Sequence, residues 1–338
     1  MSQSQVEGAA RPRLSVVAPC HNEEEGLEEF HRRASAAVEK VVDGDYELIL
    51  LNDGSRDRTW AVMSGMVARD PHLVAVNLSR RYGHQIALTA GLQLCRGNRI
   101  LMIDADLQDP PELLAEMWAL MDREHADVIY GQRRERHGET ALKRGAAKLF
   151  YRLLRQIGYA DIPVDSGDFR LMTRRVLDIL NRMPEQHRFI RGMVSWIGLK
   201  QVALSYDRDP RFAGTSHYAL PRMIGLALDA LTSFSIVPLR IASYLGLGLG
   251  VLSMLMLGHT LGSWALGRVV DGWTSLSTAV LVLGSAQLIL IGLLGEYVGR
   301  LYVEAKGRPL FVIDQIVTAN GESPAQYRHE AAFRETMK

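Results

Sequence analysis

Residues 99–112 read RILMIDADLQDPPE, a short apolar run followed by two aspartates that one small residue separates. The run at 99–103 has the length and aliphatic content of a buried strand. Asp104 and Asp106 follow it directly, so a tight turn is predicted to aim both carboxylates at one point. A solvated acidic turn has the same local sequence, so the interpretation depends on the surrounding chain.

Other short apolar runs alternate with stretches of helical periodicity along the first half of the chain, at 14–18, 46–51, 73–78 and 127–131. This alternation predicts an α/β domain with a mostly parallel sheet. In doubly wound sheets, ligands bind beyond the carboxyl ends of the strands. Three polar loops are predicted to converge at that edge: 19–23, 52–55 and 104–108.

Length, charge and cysteine content bound the class of protein. The 338 residues suffice for one large domain with an appendage. With 39 basic and 38 acidic residues the net charge is +1, so no nucleic-acid partner is predicted. Cys20 and Cys95 are too few for a disulfide framework and fit a reducing compartment. Residues 1–12 lack the apolar core of a signal peptide, so they are interpreted as a flexible, cytosolic N-terminus.

Two long stretches near the C-terminus, 241–267 and 272–295, contain no Asp, Glu, Lys or Arg. Each exceeds the roughly 20 residues that cross about 30 Å of hydrocarbon, which predicts two transmembrane helices. Basic residues flank this hairpin on both sides, at Arg240, Arg300, Lys306 and Arg308. The positive-inside rule then puts both termini in the cytoplasm. The alternative is a pair of buried core helices, which the rest of the chain has too few helices to cover.

The aspartate pair Asp104 and Asp106 supplies hard oxygen ligands, which suit Mg2+ or Mn2+. Such an ion usually keeps some waters and shares substrate phosphate oxygens, so two carboxylates are enough when a diphosphate provides the rest. The ion would stabilise negative charge on a departing nucleotide diphosphate. The turn therefore indicates a metal-assisted nucleotide-diphosphate site.

Further motifs surround the turn, and together they resemble the family-2 glycosyltransferases with the Rossmann-like GT-A fold. The motifs are Pro19-x-x-Asn22-Glu23-Glu24, Asn52-Asp53-Gly54-Ser55-x-Asp57, Ala90-Gly91-Leu92, the string at 104–112, Gly167-Asp168-Phe169-Arg170-Leu171 and Thr232-Ser233-Phe234-Ser235. Within that family the chain is most similar to the polyprenyl-phosphate glycosyltransferases, the group that contains dolichol-phosphate mannose synthase and the bactoprenol glucosyltransferases. The resemblance runs from about Leu14 through the second apolar stretch.

The resemblance implies a nucleotide-sugar site made of Pro19, Asn22, Glu23, Asp53, Asp104, Ala105, Asp106 and Gln108. Asp53 would accept hydrogen bonds from the base. Asp104 and Asp106 would serve the ribose, the diphosphate and the metal. The chain has Asn52 where many relatives have Asp, and Arg81 where many have Asn. The choice between uridine and guanosine carriers stays open.

By resemblance, Asp168 is the carboxylate beside the attacking group, with Asp165 as a rival. A phosphomonoester has a second pKa of about 6, so it is mostly a dianion near pH 7 and needs little deprotonation. Asp168 is therefore either a base or an orienting group. The alternative is a structural role, in which Asp168 caps or braces the loop before a helix that begins near Thr173.

A lipid phosphate needs positive partners, and the segment 211–218 offers Arg211, the Ser216 hydroxyl and loop amides. His217 stands where relatives commonly place Lys. Arg191 and Arg188 are weaker candidates for the lipid phosphate or the nucleotide, and both could instead be surface arginines. A solvated surface loop is the alternative interpretation of 211–218.

Apolar residues recur at helical spacing just before the first apolar stretch, which is typical of an amphipathic interfacial helix. They are Leu220, Met223, Ile224, Ala227, Leu228 and Leu231. An ordinary helix packed on the catalytic domain fits the same periodicity. The predicted organisation is a flexible N-terminus, a catalytic domain, juxtamembrane helices, a transmembrane hairpin and a cytoplasmic tail, at 1–12, 13–212, 213–240, 241–302 and 303–338.

The predicted function is inverting transfer of one sugar from a UDP- or GDP-sugar to polyprenyl phosphate at the cytoplasmic face of the inner membrane. The product would be a lipid-linked sugar donor for cell-envelope glycosylation. Direct inversion is implied by the family. The alternatives are a processive polysaccharide synthase, whose Gln-x-x-Arg-Trp motif this chain lacks, and a non-catalytic nucleotide-sugar-binding membrane scaffold. Related enzymes often form tetramers, so a multi-pass homo-oligomer is expected.

Overall fold

The computed structural model describes residues 11–133, 166–207, 237–267, 272–319 and 321–322. They divide into two compact units. The sheet unit contains the described residues up to 207 and from 309 onward, and the helical unit contains those between 237 and 308. Each unit is described separately.

The described residues of the sheet unit form a nine-stranded sheet. Its strands are β1 Leu14–Cys20, β2 Tyr46–Asn52, β3 Leu73–Leu78, β4 Arg99–Met102, β5 Val128–Arg133, β6 Ser166–Thr173, β7 Gln201–Tyr206, β8 Ile313–Thr318 and β9 Gly321–Glu322. The strand order is β7-β5-β6-β4-β1-β2-β3-β8-β9. The strands predicted from the apolar runs are all present, with ends that differ from the prediction by at most two residues.

The centre of the sheet is parallel, as predicted. β3, β2, β1 and β4 lie side by side and all run in the same direction. The flanking strands differ, because β6 pairs antiparallel with both β4 and β5, and β8 pairs antiparallel with β3. The carboxyl ends of the four central strands therefore meet at one edge.

Helices cover both faces of the sheet. They are α1 Leu27–Val42, α2 Thr59–Val67, α3 His84–Leu94, α4 Leu114–Glu124, α5 Arg174–Arg182 and α6 Ile190–Ile197. Successive side chains of a strand point to opposite faces, and β2 shows this alternation. Leu48 and Leu50 join the core formed with α1, α2 and α4, whereas Ile49 and Leu51 join the core formed with α3, α5 and α6. The predicted helix near Thr173 is α5.

The C-terminal segment was predicted to be a cytoplasmic tail, yet part of it belongs to the sheet unit. β8 pairs with β3, and Ile316 is buried in the core on the α3 side. Val312 N–H donates to the Tyr82 hydroxyl at 3.1 Å, and Ser79 N–H donates to the Val312 carbonyl at 3.0 Å. The chain thus returns from the helical unit to complete the sheet at its β3 side.

The helical unit contains α7 Val237–Ala265, with 29 residues, and α8 Trp273–Ala305, with 33 residues. These helices largely coincide with the two predicted spans. Many of their apolar side chains are exposed, for example Leu247, Met254, Leu288 and Ile289. Among the described residues, one helical segment, Val282–Ala305, is long and apolar enough to cross a membrane. This finding concerns length and composition alone, so both membrane spans and the hairpin topology remain predictions.

Candidate active site

The loops after β1 and β2 lock together at the carboxyl edge of the sheet. Asp53 N–H donates to the Cys20 carbonyl at 2.9 Å, and Asn22 N–H donates to Ser55 Oγ at 3.0 Å. The Asn22 side chain in turn accepts a hydrogen bond from Arg56 N–H at 2.9 Å. Asn22 has a positive φ of 58°, a conformation that Asn tolerates better than most residues. The predicted convergence of these two loops is therefore confirmed.

The buried carboxylate of Asp53 holds a further loop, the one that follows β3. Its Oδ1 accepts a hydrogen bond from Tyr82 N–H at 2.6 Å, and its Oδ2 accepts one from Gly83 N–H at 2.9 Å. Each carboxylate oxygen has a second lone pair, so this bracing role is compatible with base recognition. Contact between Asp53 and a nucleobase remains a prediction.

Gly54 allows the loop after β2 to approach the loop after β3 closely. Its φ is +59°, and a Cβ at this position would lie 2.5 Å from the backbone nitrogen of Arg81. Only glycine avoids both the left-handed strain and the backbone clash. The motif around Asp53 therefore has a packing reason that is independent of any ligand.

The Asp104-Ala105-Asp106 turn is anchored in the core. Ala105 and Leu107 are buried among the side chains of α1 and α4. Asp106 Oδ1 accepts a hydrogen bond from Gln108 N–H at 3.1 Å, so Asp106 helps to shape its own turn. Leu107 has a φ of 58°, which is strained for a branched aliphatic residue. Strain of this kind is common where a loop presents functional groups.

Asp104 lies among other acids. Its pKa is raised to about 6, first because burial disfavours the charged form and further because the Asp168, Asp109 and Asp106 carboxylates repel its charge. His84 opposes this effect, with its Nε2 3.5 Å from Asp104 Oδ1. The Asp104 side chain keeps 30% of its surface exposed. It is therefore the accessible member of an acidic cluster.

Asp168 lies on β6 and is 8% exposed. Its Oδ2 accepts hydrogen bonds from Gln85 Nε2 at 2.8 Å and from His84 Nε2 at 3.2 Å, and a guanidinium nitrogen of Arg191 lies 3.6 Å from Oδ1. Burial alone would raise the pKa of Asp168, but Arg191 and His84 outweigh it and hold that pKa well below its usual range. Asp168 is therefore a carboxylate ion at neutral pH. Its hydrogen bonds go to the start of α3, and the N-cap residue of α5 is Thr173, without a side-chain cap hydrogen bond. A role of Asp168 in bracing this region stays a prediction.

His84 lies between the two carboxylates. Burial lowers its pKa, but the hydrogen bond to Asp168 and the charges of Asp104 and Asp168 more than offset this and raise the pKa to about 9. Its Nε2 is within 3.5 Å of both Asp104 Oδ1 and Asp168 Oδ2. The Asp-x-Asp turn and the Asp168 strand thus meet at one imidazole.

His84 and Gln85, which begin α3, were not among the residues predicted from the sequence. The polar loops predicted to converge follow β1, β2 and β4, and the loop after β3 was not included with them. Gly83, with a φ of 99°, ends that loop directly before His84. The Gly-His-Gln run at the carboxyl end of an apolar strand was the available signal.

Tyr206, Arg133 and Asp109 form a second group that was not predicted from the sequence, and it stabilises the segment after the Asp-x-Asp turn. The Tyr206 hydroxyl donates to Oδ1 of the fully buried Asp109, and an Arg133 nitrogen lies 3.9 Å from the same oxygen. Burial, and then the Asp109 charge, raise the pKa of Tyr206 well above its usual value, so the phenol stays a proton donor. These contacts tie the segment after Asp106 to β5 and β7.

The candidate arginines differ in their surroundings. Arg188 is buried and donates to the carbonyls of Met183 at 2.8 Å and Leu180 at 3.4 Å, at the C-terminus of α5. It is a helix-capping residue and not a surface arginine. Arg191, by contrast, forms an ion pair with Asp168, with a guanidinium nitrogen 3.6 Å from Oδ1. Asp165, Arg211, Ser216, His217 and the juxtamembrane segment before Val237 lie outside the described residues.

The donor set around the turn suits a divalent cation that substrate helps to hold. Within the part of the chain that the structure describes, no three His, Cys, Asp or Glu side chains are grouped so as to hold a metal ion alone. Asp104 and Asp106 supply carboxylate oxygens, and burial followed by repulsion from neighbouring acids raises the pKa of Asp104, so a nearby cation would stabilise its charged form. Hard oxygen donors of this kind fit Mg2+ or Mn2+ shared with phosphate oxygens and water.

The sheet has a parallel centre, and the Asp-x-Asp turn follows β4. The buried Asp168 lies on β6, the strand next to β4. Together these features define a GT-A-like α/β domain. The chain belongs to glycosyl transferase family 2 and is a glycosyltransferase. The model of that family matches residues 15–180, and the model described as the GtrB C-terminal hairpin matches residues 237–301.

Relatives of known sequence match over almost the whole chain. The uncharacterized glycosyltransferase YkcC of Bacillus subtilis (strain 168) is 42% identical over 307 residues, covering 89% of this chain and 93% of that protein. The SfII prophage-derived bactoprenol glucosyl transferase of Shigella flexneri is 36% identical over 310 residues, covering 89% and 97%. Among solved structures, glucosyl-3-phosphoglycerate synthase from Mycobacterium tuberculosis aligns with a TM-score of 0.44 and 21% identity, covering 64% of this chain and 76% of its own.

Proposed function

We propose that this glycosyltransferase moves one sugar from a UDP- or GDP-sugar to polyprenyl phosphate at the cytoplasmic face of the inner membrane. One observation carries the proposal: His84 joins Asp104 of the Asp-x-Asp turn to Asp168 of β6, so a donor group and an acceptor group are within reach of each other. Similarity to a bactoprenol glucosyl transferase, which includes the C-terminal hairpin, supports a polyprenyl phosphate acceptor.

In this proposal the donor binds along the carboxyl edge of β1, β2 and β4. Pro19, Asn22, Glu23 and Asp53 line the nucleoside end, and Asp104 to Gln108 face the diphosphate. Asp53 acts partly by holding Tyr82 and Gly83, which fixes the wall of that pocket. Asp104 and Asp106 would hold Mg2+ or Mn2+, which when bound supplies positive charge that stabilises the leaving diphosphate.

Asp168 orients the acceptor in this proposal. A carboxylate whose pKa is held well below its usual range is a poor proton acceptor near neutral pH. The phosphomonoester, with a second pKa of about 6, needs little deprotonation. The acceptor oxygen would attack the anomeric carbon in line with the leaving diphosphate, so that the configuration inverts. Arg191, and Arg211 and Ser216 by resemblance, would balance the charge of the lipid phosphate.

The exposed apolar side chains of α7 and α8 support membrane association. A soluble surface rarely exposes apolar side chains in such number along two successive helices. In the proposed topology both helices cross the bilayer, and the sheet unit and both chain termini stay on the cytoplasmic side. We also propose a homo-oligomer, with a tetramer as the first form to test.

The test is to incubate the purified full-length protein with polyprenyl phosphate, Mn2+ or Mg2+ and, in separate reactions, UDP-glucose, other UDP-hexoses and GDP-mannose. Mass spectrometry should find a lipid that carries a single hexose with one of these donors. No lipid-linked sugar with any donor, while nucleotide sugar still binds, would favour the scaffold alternative. A ladder of hexose masses would favour the processive synthase.

A further inference from the structure

The two carboxylate oxygens of Asp168 have different surroundings. Oδ2 receives two hydrogen bonds, from Gln85 at 2.8 Å and from His84 at 3.2 Å. Among the described residues, Oδ1 is buried and receives no hydrogen bond, although the Arg191 guanidinium lies 3.6 Å away. Buried polar atoms in folded proteins are nearly always hydrogen-bonded, so an open one needs an explanation. Oδ1 is the open side of this carboxylate.

Gln85 fixes which oxygen is open. Its amide nitrogen donates to Asp168 Oδ2, and its amide oxygen accepts from Ile190 N–H at 2.9 Å. Ile190 is the first residue of α6, where a backbone N–H has no partner within the helix. Because both ends of the amide are used, the side chain cannot rotate without losing a bond. Gln85 thus joins α3, β6 and the helix that carries Arg191.

Two arginine side chains near Asp168 have guanidinium donors without a described acceptor. Arg191 Nε is buried and has no hydrogen-bond acceptor among the described residues, and the same is true of Arg170 Nε. Arg170 lies two residues after Asp168 on β6, on the same face of the strand, and its charge acts on Asp168. One acceptor atom and two donor atoms are therefore unfilled around one carboxylate. A monoprotonated phosphomonoester matches this set, because its anionic oxygens accept hydrogen bonds from the guanidinium groups and its one hydroxyl donates to Oδ1. With a second pKa of about 6 this form is the minority species near pH 7, and the site would select it.

We propose that Gln85 and His84 are positioning residues that hold Oδ2 of Asp168, so that Oδ1 receives the phosphate end of the lipid acceptor. The inference rests on the proposed function and deepens it, since it names the working oxygen of Asp168 and the residues that select it. Gln85 also bonds to the first residue of α6, the helix that places the Arg191 guanidinium 3.6 Å from Oδ1. His84 adds a link to Asp104 on the donor side.

The test compares Gln85→Glu and Gln85→Leu with the wild-type full-length protein. Each change removes one of the two hydrogen bonds to Oδ2 and leaves the one from His84, so Asp168 is held less firmly. A misplacement of about 1 Å can cost about 10²-fold in rate, and we expect a loss of that order in kcat/KM for polyprenyl phosphate. The Kd of the donor nucleotide should stay near the wild-type value. Gln93→Glu, on the last turn of the same helix, is the matched control and should keep wild-type kinetics.

An exchange of the two groups separates positioning from simple structural support. Gln85→Glu combined with Asp168→Asn restores an amide-to-carboxylate hydrogen bond but moves the charge to α3. We expect the Tm to recover relative to Gln85→Glu while transfer stays low. Recovery of transfer together with Tm would overturn the inference, because the pair would then serve only the fold.

The failures of the two proposals are distinguishable. Absence of glycolipid from the wild-type protein with every donor would overturn the proposed function, and with it the acceptor assigned to Oδ1. A wild-type protein that transfers sugar, beside a Gln85→Leu variant with unchanged kcat/KM for the lipid, would overturn only the positioning role. A loss in kcat/KM for the nucleotide sugar alone would assign Gln85 to the donor side instead.

Discussion

Asp104 and Asp168 lie in one cluster, yet their pKa values shift in opposite directions. Burial and the neighbouring acids raise the pKa of Asp104 to about 6, whereas Arg191 and His84 hold that of Asp168 well below its usual range. Asp104 therefore has too few positive neighbours to offset burial and the nearby acids, whereas Arg191 and His84 supply the positive charge around Asp168. In the proposed function, Asp104 would recruit a cation on the donor side, whereas the acceptor side at Asp168 would already contain its counter-charges.

Asp106→Asn is expected to remove metal-dependent turnover, because the amide lowers the negative charge available to a divalent cation. Loss of one such electrostatic group typically costs about 10²–10³-fold in kcat. The measurement is the transfer rate as a function of Mn2+ concentration. Asp43→Asn is the control, since Asp43 is exposed at the C-terminus of α1 in a left-handed conformation that Asn also accepts. An unchanged Mn2+ titration for Asp106→Asn would remove this residue from the metal site.

Asp104, Asp106 and Asp168 could be selected as candidates from the sequence because each lies in a motif with an unusual residue order, and the structure brings Asp104 and Asp168 to one imidazole. Gln85 could not be selected in this way, because its role depends on two partners, Asp168 and Ile190, that are 83 and 105 residues away in the chain. An amide on a helix has no sequence pattern that separates a buried bridge from a solvated side chain. The same reason left Arg188 as a surface candidate when it caps α5.

At the scale of elements, the loop after β2 depends on Gly54. Gly54→Ala should be destabilising by more than about 1 kcal/mol, because it adds left-handed strain to a clash with the Arg81 backbone. The loop held by Asp53 should also shift, which would raise KM for the nucleotide sugar. Thermal unfolding and donor kinetics are the measurements.

Gly65→Ala is the matched control for that substitution. Gly65 lies within α2, and a Cβ there would meet nothing within 4 Å. Alanine should therefore stabilise the helix by up to about 1 kcal/mol. If both variants had the same Tm as the wild type, the close approach of the two loops would be wrong.

β8 offers a second prediction at this scale. Ile316 is buried at the β3 side of the sheet, so Ile316→Ala is expected to cost about 2–4 kcal/mol. Val312→Ala, at an exposed side chain just before the strand, should cost less than about 0.5 kcal/mol. Denaturation of the detergent-solubilised protein, followed by tryptophan fluorescence, compares the two. Equal midpoints would mean that the segment after Gly307 does not stabilise the sheet.

The strands that the sequence predicted are those with continuous apolar runs, buried on both faces. β6 lacked this signal because Asp168 and Arg170 alternate with Phe169 and Leu171, and the polar pair faces the site while the apolar pair enters the core. β8 is short and mixed, and its strand character comes from pairing with β3. Function and tertiary pairing, and not local propensity, decide both strands.

At the scale of the whole molecule, the membrane topology can be tested on the helical unit. If α7 and α8 both cross the bilayer, the segment between them faces away from the cytoplasm. Val269→Cys should then react with a membrane-impermeant maleimide in spheroplasts with an intact inner membrane, whereas Ser2→Cys should react only after lysis. Cys20 and Cys95 are buried, so background labelling should be low. Labelling of Val269→Cys only after lysis would contradict the hairpin.

The position of β8 in the chain also has a consequence for biogenesis. A ribosome makes the first seven strands, then α7 and α8, and only afterwards the strand that covers the side of β3. The sheet therefore remains open along β3 while the apolar helices leave the ribosome. An open strand edge invites pairing with other chains. If α7 and α8 direct the nascent chain to the membrane as proposed, targeting would precede closure of its sheet, and β8 would then protect the β3 edge from pairing with other chains.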